Sequence, residues 1–134
     1  MNRKQEIIEF LAREFPQFAF TVEEVGGQAA SVRYEVDSDG LRPGGTVAGP
    51  TLFGIADAAM YVAVLGEIGI VPLAVTTNMN INFLRRPFAQ DDVIGQCRLL
   101  KVGRRLAVGE ITVYSEGDPN PVAHAVGTYS IPSS

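Results

Sequence analysis

The sequence has little of what disulfides and metal sites require, with one cysteine and one histidine among its 134 residues. Cys97 alone cannot form an internal disulfide, and no Cys/His cluster has the spacing of a structural metal site. We therefore expect a metal-free protein in a reducing, cytoplasmic setting. Because 46% of the residues are apolar, the chain can build its own core, and we expect a single domain over residues 1–134.

An excess of positive charge is also missing. The formal net charge is −4, and the eleven Lys and Arg residues are spread along the chain rather than gathered in a basic stripe or tail. This argues against nucleic acid as the main partner. Two local pairs, Arg85–Arg86 and Arg104–Arg105, can still hold a small polyanion.

The sequence shows neither a signal peptide nor a run long enough for a membrane span. Acidic residues mix with basic ones at the N-terminus, and no long apolar run precedes a small-residue cleavage site. The longest apolar run, residues 51–65, contains Asp57 and is shorter than the roughly 20 residues of a membrane span. We expect a soluble protein with no membrane partner.

Hydrophobic periodicity then predicts the order of the elements. Apolar residues at helical spacing indicate a short amphipathic helix over residues 2 to about 14 and a long helix over about 50–66, with Pro50 in its first turn. Alternation predicts strands over 18–25, 28–36, 74–84, 93–102, 105–115 and 121–131, while 37–45 has the composition of a loop.

Two segments carry more specific predictions. Strict alternation over 74–84 places one set of residues on a buried face and Thr76 with three asparagines on the other; the predicted buried set is Val75, Thr77, Met79, Ile81 and Phe83. The long helix is apolar on every side, so it must be wrapped, either by a strongly curved sheet or by a sheet and a second copy of itself.

Asp57 is the single charge in the apolar run of this long helix, and its neighbours one turn away offer no cation; they are Phe53, Gly54, Met60 and Tyr61. Three interpretations remain open. Asp57 can point to water through a gap in the packing, or accept hydrogen bonds from backbone groups or the Tyr61 hydroxyl. It can also be a general base, because a carboxylate in a dry cleft is poised for proton transfer.

Gly49, at the start of the long helix, strengthens the chemical interpretation. A helix N-terminus offers unpaired N–H groups and partial positive charge, so the Gly49 amide can stabilise an oxyanion. Gly49 and Asp57 are eight residues apart, however, or roughly 12 Å along a helix. If both act on one substrate, two helices must lie antiparallel in a two-fold dimer.

The motifs of the whole chain resemble the hotdog-fold acyl-CoA thioesterases, specifically their phenylacetic-acid-degradation thioesterase-like branch. That family typically has His-Gly-Gly, then Leu-Ala-Asp on the central helix, a strand like Met-Asn-Ile-x-Phe-x-Arg-Pro and a hairpin with Lys-x-Gly-Arg. The corresponding segments here are AGP at 48–50, IAD at 55–57, MNINFLRRP at 79–87 and KVGR at 101–104.

The resemblance implies an α+β hotdog fold, with a short N-terminal helix and a long central helix wrapped by a curved five- or six-stranded antiparallel sheet. It also implies roles for three residues: Asp57 as base or nucleophile at the thioester carbonyl, Gly49 as the N–H donor to that carbonyl, and Thr76 as a hydroxyl that places the water. Ala48 replaces the family histidine, and Pro50 replaces the second glycine. The asparagine that the family commonly has in the preceding loop aligns near Arg42.

The implied activity is hydrolysis of a medium-chain or aromatic acyl-CoA by a homodimer, in some relatives a dimer of dimers. We expect Phe53, Met60 and Tyr61 to line the acyl tunnel; the arginines at 85, 86, 104 and 105 either bind coenzyme A phosphates or are solvated strand-end charges. No cofactor is expected beyond the CoA of the substrate.

Two alternative functions follow from departures from the family pattern. A non-catalytic acyl-CoA or lipid-binding protein is motivated by Ala48 and Pro50. An enoyl-CoA hydratase or dehydratase is disfavoured, because the only histidine, His124, lies on the last strand rather than near the central helix.

Overall fold

The computed structural model describes residues 2–35, 41–42, 46–88 and 91–132, with the backbone alone at 41, 42 and 46. Two helices and eight strands are described: α1 (Arg3–Glu14), β1 (Phe20–Gly26), β2 (Ala29–Tyr34), β3 (Leu41–Arg42), β4 (Thr46–Val47), α2 (Gly49–Ile68), β5 (Val75–Phe83), β6 (Val93–Val102), β7 (Leu106–Ser115) and β8 (Ala123–Ser130). The helices and the six long strands match the predicted order. The predicted 37–45 loop lies mostly outside the described residues, and its described part, 41–42, pairs with β4 instead.

The amphipathic helix α1 is confirmed. The Asn2 side chain caps it by accepting a hydrogen bond from the Gln5 amide at 2.8 Å. Its buried residues, Ile7, Phe10 and Leu11, form one face at helical spacing. Arg3 donates to the carbonyl oxygens of Leu65 and Gly66 at 3.2 and 3.1 Å, which satisfies carbonyls at the end of α2.

The long apolar helix α2 forms the centre of the protein. Pro50 stands in its first turn, and the helix ends where Gly69 adopts φ +95°, a conformation that favours glycine. At 20 residues α2 is long and apolar enough to cross a membrane, yet most of it is buried within the protein. Burial in the core accounts for this composition.

Six strands form one antiparallel sheet in the order β1-β2-β6-β7-β8-β5, and α2 contacts all six. Glycines on the sheet allow the helix to approach closely. A Cβ added at Gly95 would lie 2.8 Å from Ile55 Cγ2, and one at Gly127 would lie 2.9 Å from Met60 Sδ. The sheet therefore wraps most of the helix, as expected from the apolar pattern of α2.

The predicted faces of β5 are partly wrong. The register between β5 and β8 shifts between Thr76 and Asn78, so two residues on β5 face one interval of its partner. This bulge leaves Val75 and Thr77 exposed while Thr76 turns to the helix side with Met79 and Ile81. Phe83 was also expected to be buried, but it is 53% exposed at the end of this edge strand.

Candidate active site

One face of α2 is not fully covered by the sheet. Along it lie Pro50, Phe53, Asp57 and Tyr61, three or four residues apart, and all four keep some exposure while most of the helix is buried. Asp57 is half-buried in the middle of this face. The carboxylate is therefore neither fully buried in the core nor fully exposed to bulk water.

Two hydroxyl groups converge on one oxygen of this carboxylate. Thr76 Oγ1 donates to Asp57 Oδ1 at 2.6 Å, and the Tyr129 hydroxyl donates to the same oxygen at 2.8 Å. The Tyr129 hydroxyl also lies 3.3 Å from the main-chain carbonyl oxygen of Asp57. The structure therefore brings the predicted residues Asp57 and Thr76 together and adds Tyr129, which sequence analysis missed.

The Tyr61 hydroxyl, one of the donors that the sequence left open for Asp57, does not bond to this carboxylate. The Tyr61 hydroxyl instead donates to the carbonyl oxygen of Pro72 at 3.3 Å. Its ring stacks on that of Tyr129, with centroids 6.1 Å apart and an interplanar angle of 28°. Burial raises the pKa of Tyr61, so its phenol stays protonated beside the carboxylate.

Tyr129 is 3% exposed and reaches the helix from β8. Its pKa is raised mainly by burial and further by the negative charge of Asp57. The alternation of β8 places residues 123, 125, 127 and 129 on the buried face, so the sequence contained a signal that Tyr129 points inward. Which helix residue it would meet depends on pairing between distant segments, and local periodicity does not reveal that.

Gly49 is the first residue of α2 and lies near the other end of β5. A Cβ built on Gly49 would lie 3.5 Å from the Phe83 ring, so the exposed aromatic side chain covers the helix start. The N–H of a first helical residue has no partner within its own helix. Since Asp57 lies eight residues further on, or roughly 12 Å along the axis, one chain does not place Gly49 and Asp57 at one carbonyl.

The predicted acyl-tunnel residues separate into two groups. Phe53 and Tyr61 lie with Asp57 on the uncovered face of α2. Met60 is 0% exposed and lies above the sheet glycines 109 and 127. The structure places Met60 in the core, because its position on α2 points toward the sheet; this corrects the expectation that it lies beside the substrate.

The four predicted arginines lie at opposite ends of β5, so one chain does not gather them into one clamp. Arg85 and Arg86 follow Phe83 at the end of the strand, and Arg85 forms an ion pair with Asp118 at 3.5 Å. Arg104 and Arg105 lie in the β6–β7 turn, next to the segment that pairs with the start of β5. The nine residues of β5 span roughly 26 Å.

The remaining candidate groups lie elsewhere. His124 lies five residues before the inward-facing Tyr129, and because side chains alternate along a strand this odd separation places it on the opposite face of β8. There its Nε2 lies 3.1 Å from Glu110 Oε2. Arg42 lies in β3, and its side chain is outside the described atoms. Within the described ranges, no group of three or more His, Cys, Asp and Glu residues could hold a metal ion.

A long helix wrapped by a six-stranded antiparallel sheet, with a carboxylate on the uncovered helix face, is the arrangement of a hotdog-fold protein. The model of the thioesterase superfamily matches residues 44–122, which include α2, β5, β6 and β7. The chain therefore belongs to the thioesterase superfamily, in the branch that contains the PaaI proteins.

Solved structures agree with this assignment. A thioesterase candidate from Silicibacter sp. TM1040 is 43% identical, with a TM-score of 0.91 over 99% of this chain and 94% of that one. A mutant of the phenylacetic acid degradation protein PaaI from Thermus thermophilus is 26% identical, with a TM-score of 0.75 over 92% of this chain and 99% of that one. The PaaI protein of E. coli, 22% identical, shares the fold with a TM-score of 0.76, covering 95% and 92%. Comparison with curated proteins gives no match.

Proposed function

We propose that this protein is a cytoplasmic acyl-CoA thioesterase that hydrolyses a medium-chain or aromatic acyl-CoA to the free acid and CoA, acting as a homodimer. The observation that carries the proposal is the placement of Asp57. It lies on the uncovered face of the central helix, and two hydroxyls hold one of its oxygens. Membership of the thioesterase superfamily supplies the reaction class.

In the proposed reaction, Asp57 takes a proton from a water molecule whose oxygen adds to the thioester carbonyl carbon. The Gly49 N–H of the second chain donates to the resulting oxyanion. The carbon–sulfur bond then breaks, and the thiolate of CoA leaves and takes up a proton. Phe53 and Tyr61 offer apolar surface beside Asp57 for the acyl group.

The distribution of groups along one chain supports the antiparallel dimer. One end of β5 lies beside Gly49 and carries Phe83 and the Arg85–Arg86 pair. The other end carries Thr76, which contacts Asp57. A two-fold axis across the uncovered face of α2 would bring unlike ends together. Each reaction centre would then combine a carboxylate from one chain with a helix N-terminus from the other.

A thiol-release screen over acyl-CoAs of varied chain length and aromatic character tests this proposal. We expect hydrolysis by the wild type and a fall of about 10²- to 10⁴-fold in kcat for Asp57→Asn, which keeps the shape and removes the base. Glu67→Gln is the matched control, because it removes an exposed carboxylate from the same helix. Unchanged hydrolysis in Asp57→Asn would contradict the mechanism.

A single turnover in ¹⁸O-water tests for the nucleophilic route in which water opens an acyl–Asp57 anhydride at the Asp57 carbonyl. General-base attack by water places solvent oxygen in the first molecule of product acid. If Asp57 attacks and the anhydride is opened at the Asp57 carbonyl, the first acid is unlabelled and the label appears in the protein.

One observation favours a second candidate, a non-catalytic acyl-CoA-binding protein. Ala48 caps α2 without any side-chain hydrogen bond, at the position where the family typically has a histidine. Calorimetric binding of an acyl-CoA without thiol release from any member of the panel would favour this function over hydrolysis.

A further inference from the structure

We propose that Tyr129 is a positioning residue that, together with Thr76, occupies Asp57 Oδ1 and leaves Oδ2 as the oxygen that meets the substrate water. This inference rests on the proposed function and deepens it, because it assigns different roles to the two oxygens of the carboxylate. It also names a residue on the last strand as part of the site.

The hydrogen bonds around Asp57 are unevenly divided between its oxygens. A carboxylate oxygen has two lone pairs. The donors from Thr76 at 2.6 Å and Tyr129 at 2.8 Å use both lone pairs of Oδ1. Among the described residues no donor to Oδ2 is found, so its lone pairs remain for proton transfer.

The Tyr129 hydroxyl also relates the carboxylate to the helix backbone. It lies 2.8 Å from Asp57 Oδ1 and 3.3 Å from the Asp57 carbonyl oxygen. One hydroxyl is thus within reach of both the side chain and the main chain of the same residue. This geometry restricts rotation of the carboxylate relative to α2, which a single distant donor would not do.

The sheet register explains why both donors are in place. Thr76 on β5 pairs directly with Tyr129 on β8, and Tyr129 pairs in turn with Ala107 on β7. The bulge after Thr76 turns its hydroxyl toward the helix. Stacking on Tyr61 and near-complete burial fix the Tyr129 ring.

Tyr129 can fulfil this role only as a protonated phenol. Burial and the nearby negative charge of Asp57 both raise the pKa of Tyr129. The hydroxyl therefore stays a donor throughout the pH range in which a hydrolase works, and it does not compete with Asp57 as a base.

The first test is Tyr129→Phe, which keeps the ring and its stacking on Tyr61. We expect kcat to fall by about 10- to 100-fold with little change in KM, because a misplaced base weakens the transition state more than substrate binding. Tyr114→Phe is the matched control, since Tyr114 lies on β7 away from Asp57, and we expect its kcat to equal that of the wild type. A wild-type kcat in Tyr129→Phe would overturn the proposal.

A double-mutant cycle separates positioning from a general structural effect. If Tyr129 acts through Asp57, Tyr129→Phe should lower kcat no further in the Asp57→Asn background, since residues that act as a unit are non-additive. The same fold-loss in both backgrounds would show that Tyr129 acts independently of the carboxylate, and would overturn the inference.

Crystal structures of the wild type and Tyr129→Phe give a readout that needs no activity. We expect a single Asp57 carboxylate orientation in the wild type and a rotated or multiple orientation in the variant. An unchanged orientation overturns the positioning role. If no acyl-CoA is hydrolysed by the wild type, the proposed function fails, while the crystallographic comparison still decides the role of Tyr129.

Discussion

At the scale of one residue, hydrogen bonds explain how the apolar helix α2 can carry the carboxylate of Asp57. Burying a charged group without partners is costly, but hydrogen bonds from hydroxyl groups reduce that cost. Thr76 and Tyr129 supply such bonds, and the uncovered helix face leaves the rest of the group accessible. The environment thus keeps a proton acceptor in a mostly apolar setting.

The sequence predicted only part of this residue-level arrangement. The isolation of Asp57 in an apolar run was visible from composition, and the pairing of Thr76 with the site came from the family resemblance. Tyr129 was not found, because strand pairing over 50 residues sets which hydroxyl reaches the helix. Helix spacing offered only Tyr61 as a side-chain donor to Asp57, because it takes no account of donors from the sheet.

Cys97 is expected to be chemically inert in the folded protein. It is 2% exposed, and burial raises the pKa of its thiol to about 12. At neutral pH a thiol reagent should therefore react with the native protein only as fast as the protein unfolds and exposes Cys97. After denaturation the reaction should be rapid. Rapid, stoichiometric labelling of the native protein would contradict this placement.

The raised pKa of the Cys97 thiol also predicts how the stability of the protein changes with pH. An unfolded thiol ionises near pH 8.5, whereas the folded thiol stays neutral up to about pH 12. The contribution of Cys97 to stability is therefore complete below about pH 8.5 and is lost as the pH rises toward 12. Denaturant midpoints of the wild type and Cys97→Ala should show a steeper alkaline decline for the wild type.

At the scale of elements, the contact between α2 and the sheet depends on glycines. Sequence alternation predicted the six strands, and the apolar pattern of the helix predicted its wrapping. The closeness of the two layers was not predicted, because it depends on which glycine lies under which helix side chain. Likewise, Val75 was expected to face the helix, but Thr76 does so because of the bulge in β5. Strict alternation does not reveal the extra residue of a bulge.

Gly95→Ala tests this close packing. The added Cβ would lie 2.8 Å from Ile55 Cγ2 and 3.2 Å from the Ile55 carbonyl oxygen, so helix and strand must separate. We expect a loss of about 1–3 kcal/mol in the free energy of unfolding. Chemical denaturation monitored by circular dichroism measures it.

Gly54→Ala on α2 is the control of opposite sign. Its Cβ would meet only Phe20 Cζ, at an ordinary distance of 3.8 Å. Alanine should stabilise the helix by about 0.5–1 kcal/mol, because it loses less backbone freedom than glycine on folding. Equal effects of the two substitutions would show that helix–sheet spacing is not limiting.

At the scale of the whole molecule, a single chain leaves apolar surface uncovered beside its site. Phe53 on α2, and Val75, Phe83 and Leu84 along or after edge strand β5, are all exposed. An edge strand with exposed apolar side chains favours association. The two-fold dimer remains a prediction, made from the separation of Gly49 and Asp57 and compatible with this surface.

Phe83→Asp tests that association. We expect light scattering to give a wild-type mass of at least twice the 14.4 kDa of the chain, and a smaller mass for the variant, because an aspartate would be buried against the second copy. Leu100→Asp is the matched control, since Leu100 is 51% exposed on β6 and should leave the assembly intact. A monomeric wild type would contradict the two-chain reaction centre.

The separation of the two arginine pairs by the length of β5 has a consequence for how activity depends on dilution. If both arginine pairs bind coenzyme A phosphates in the proposed dimer, one acyl-CoA touches cations of both chains, and the ligand then binds the assembled form more tightly than isolated chains. Mass action then requires that substrate tighten subunit association. Specific activity should decline on dilution at low acyl-CoA and recover at saturating acyl-CoA, so that the substrate helps to assemble its own catalyst.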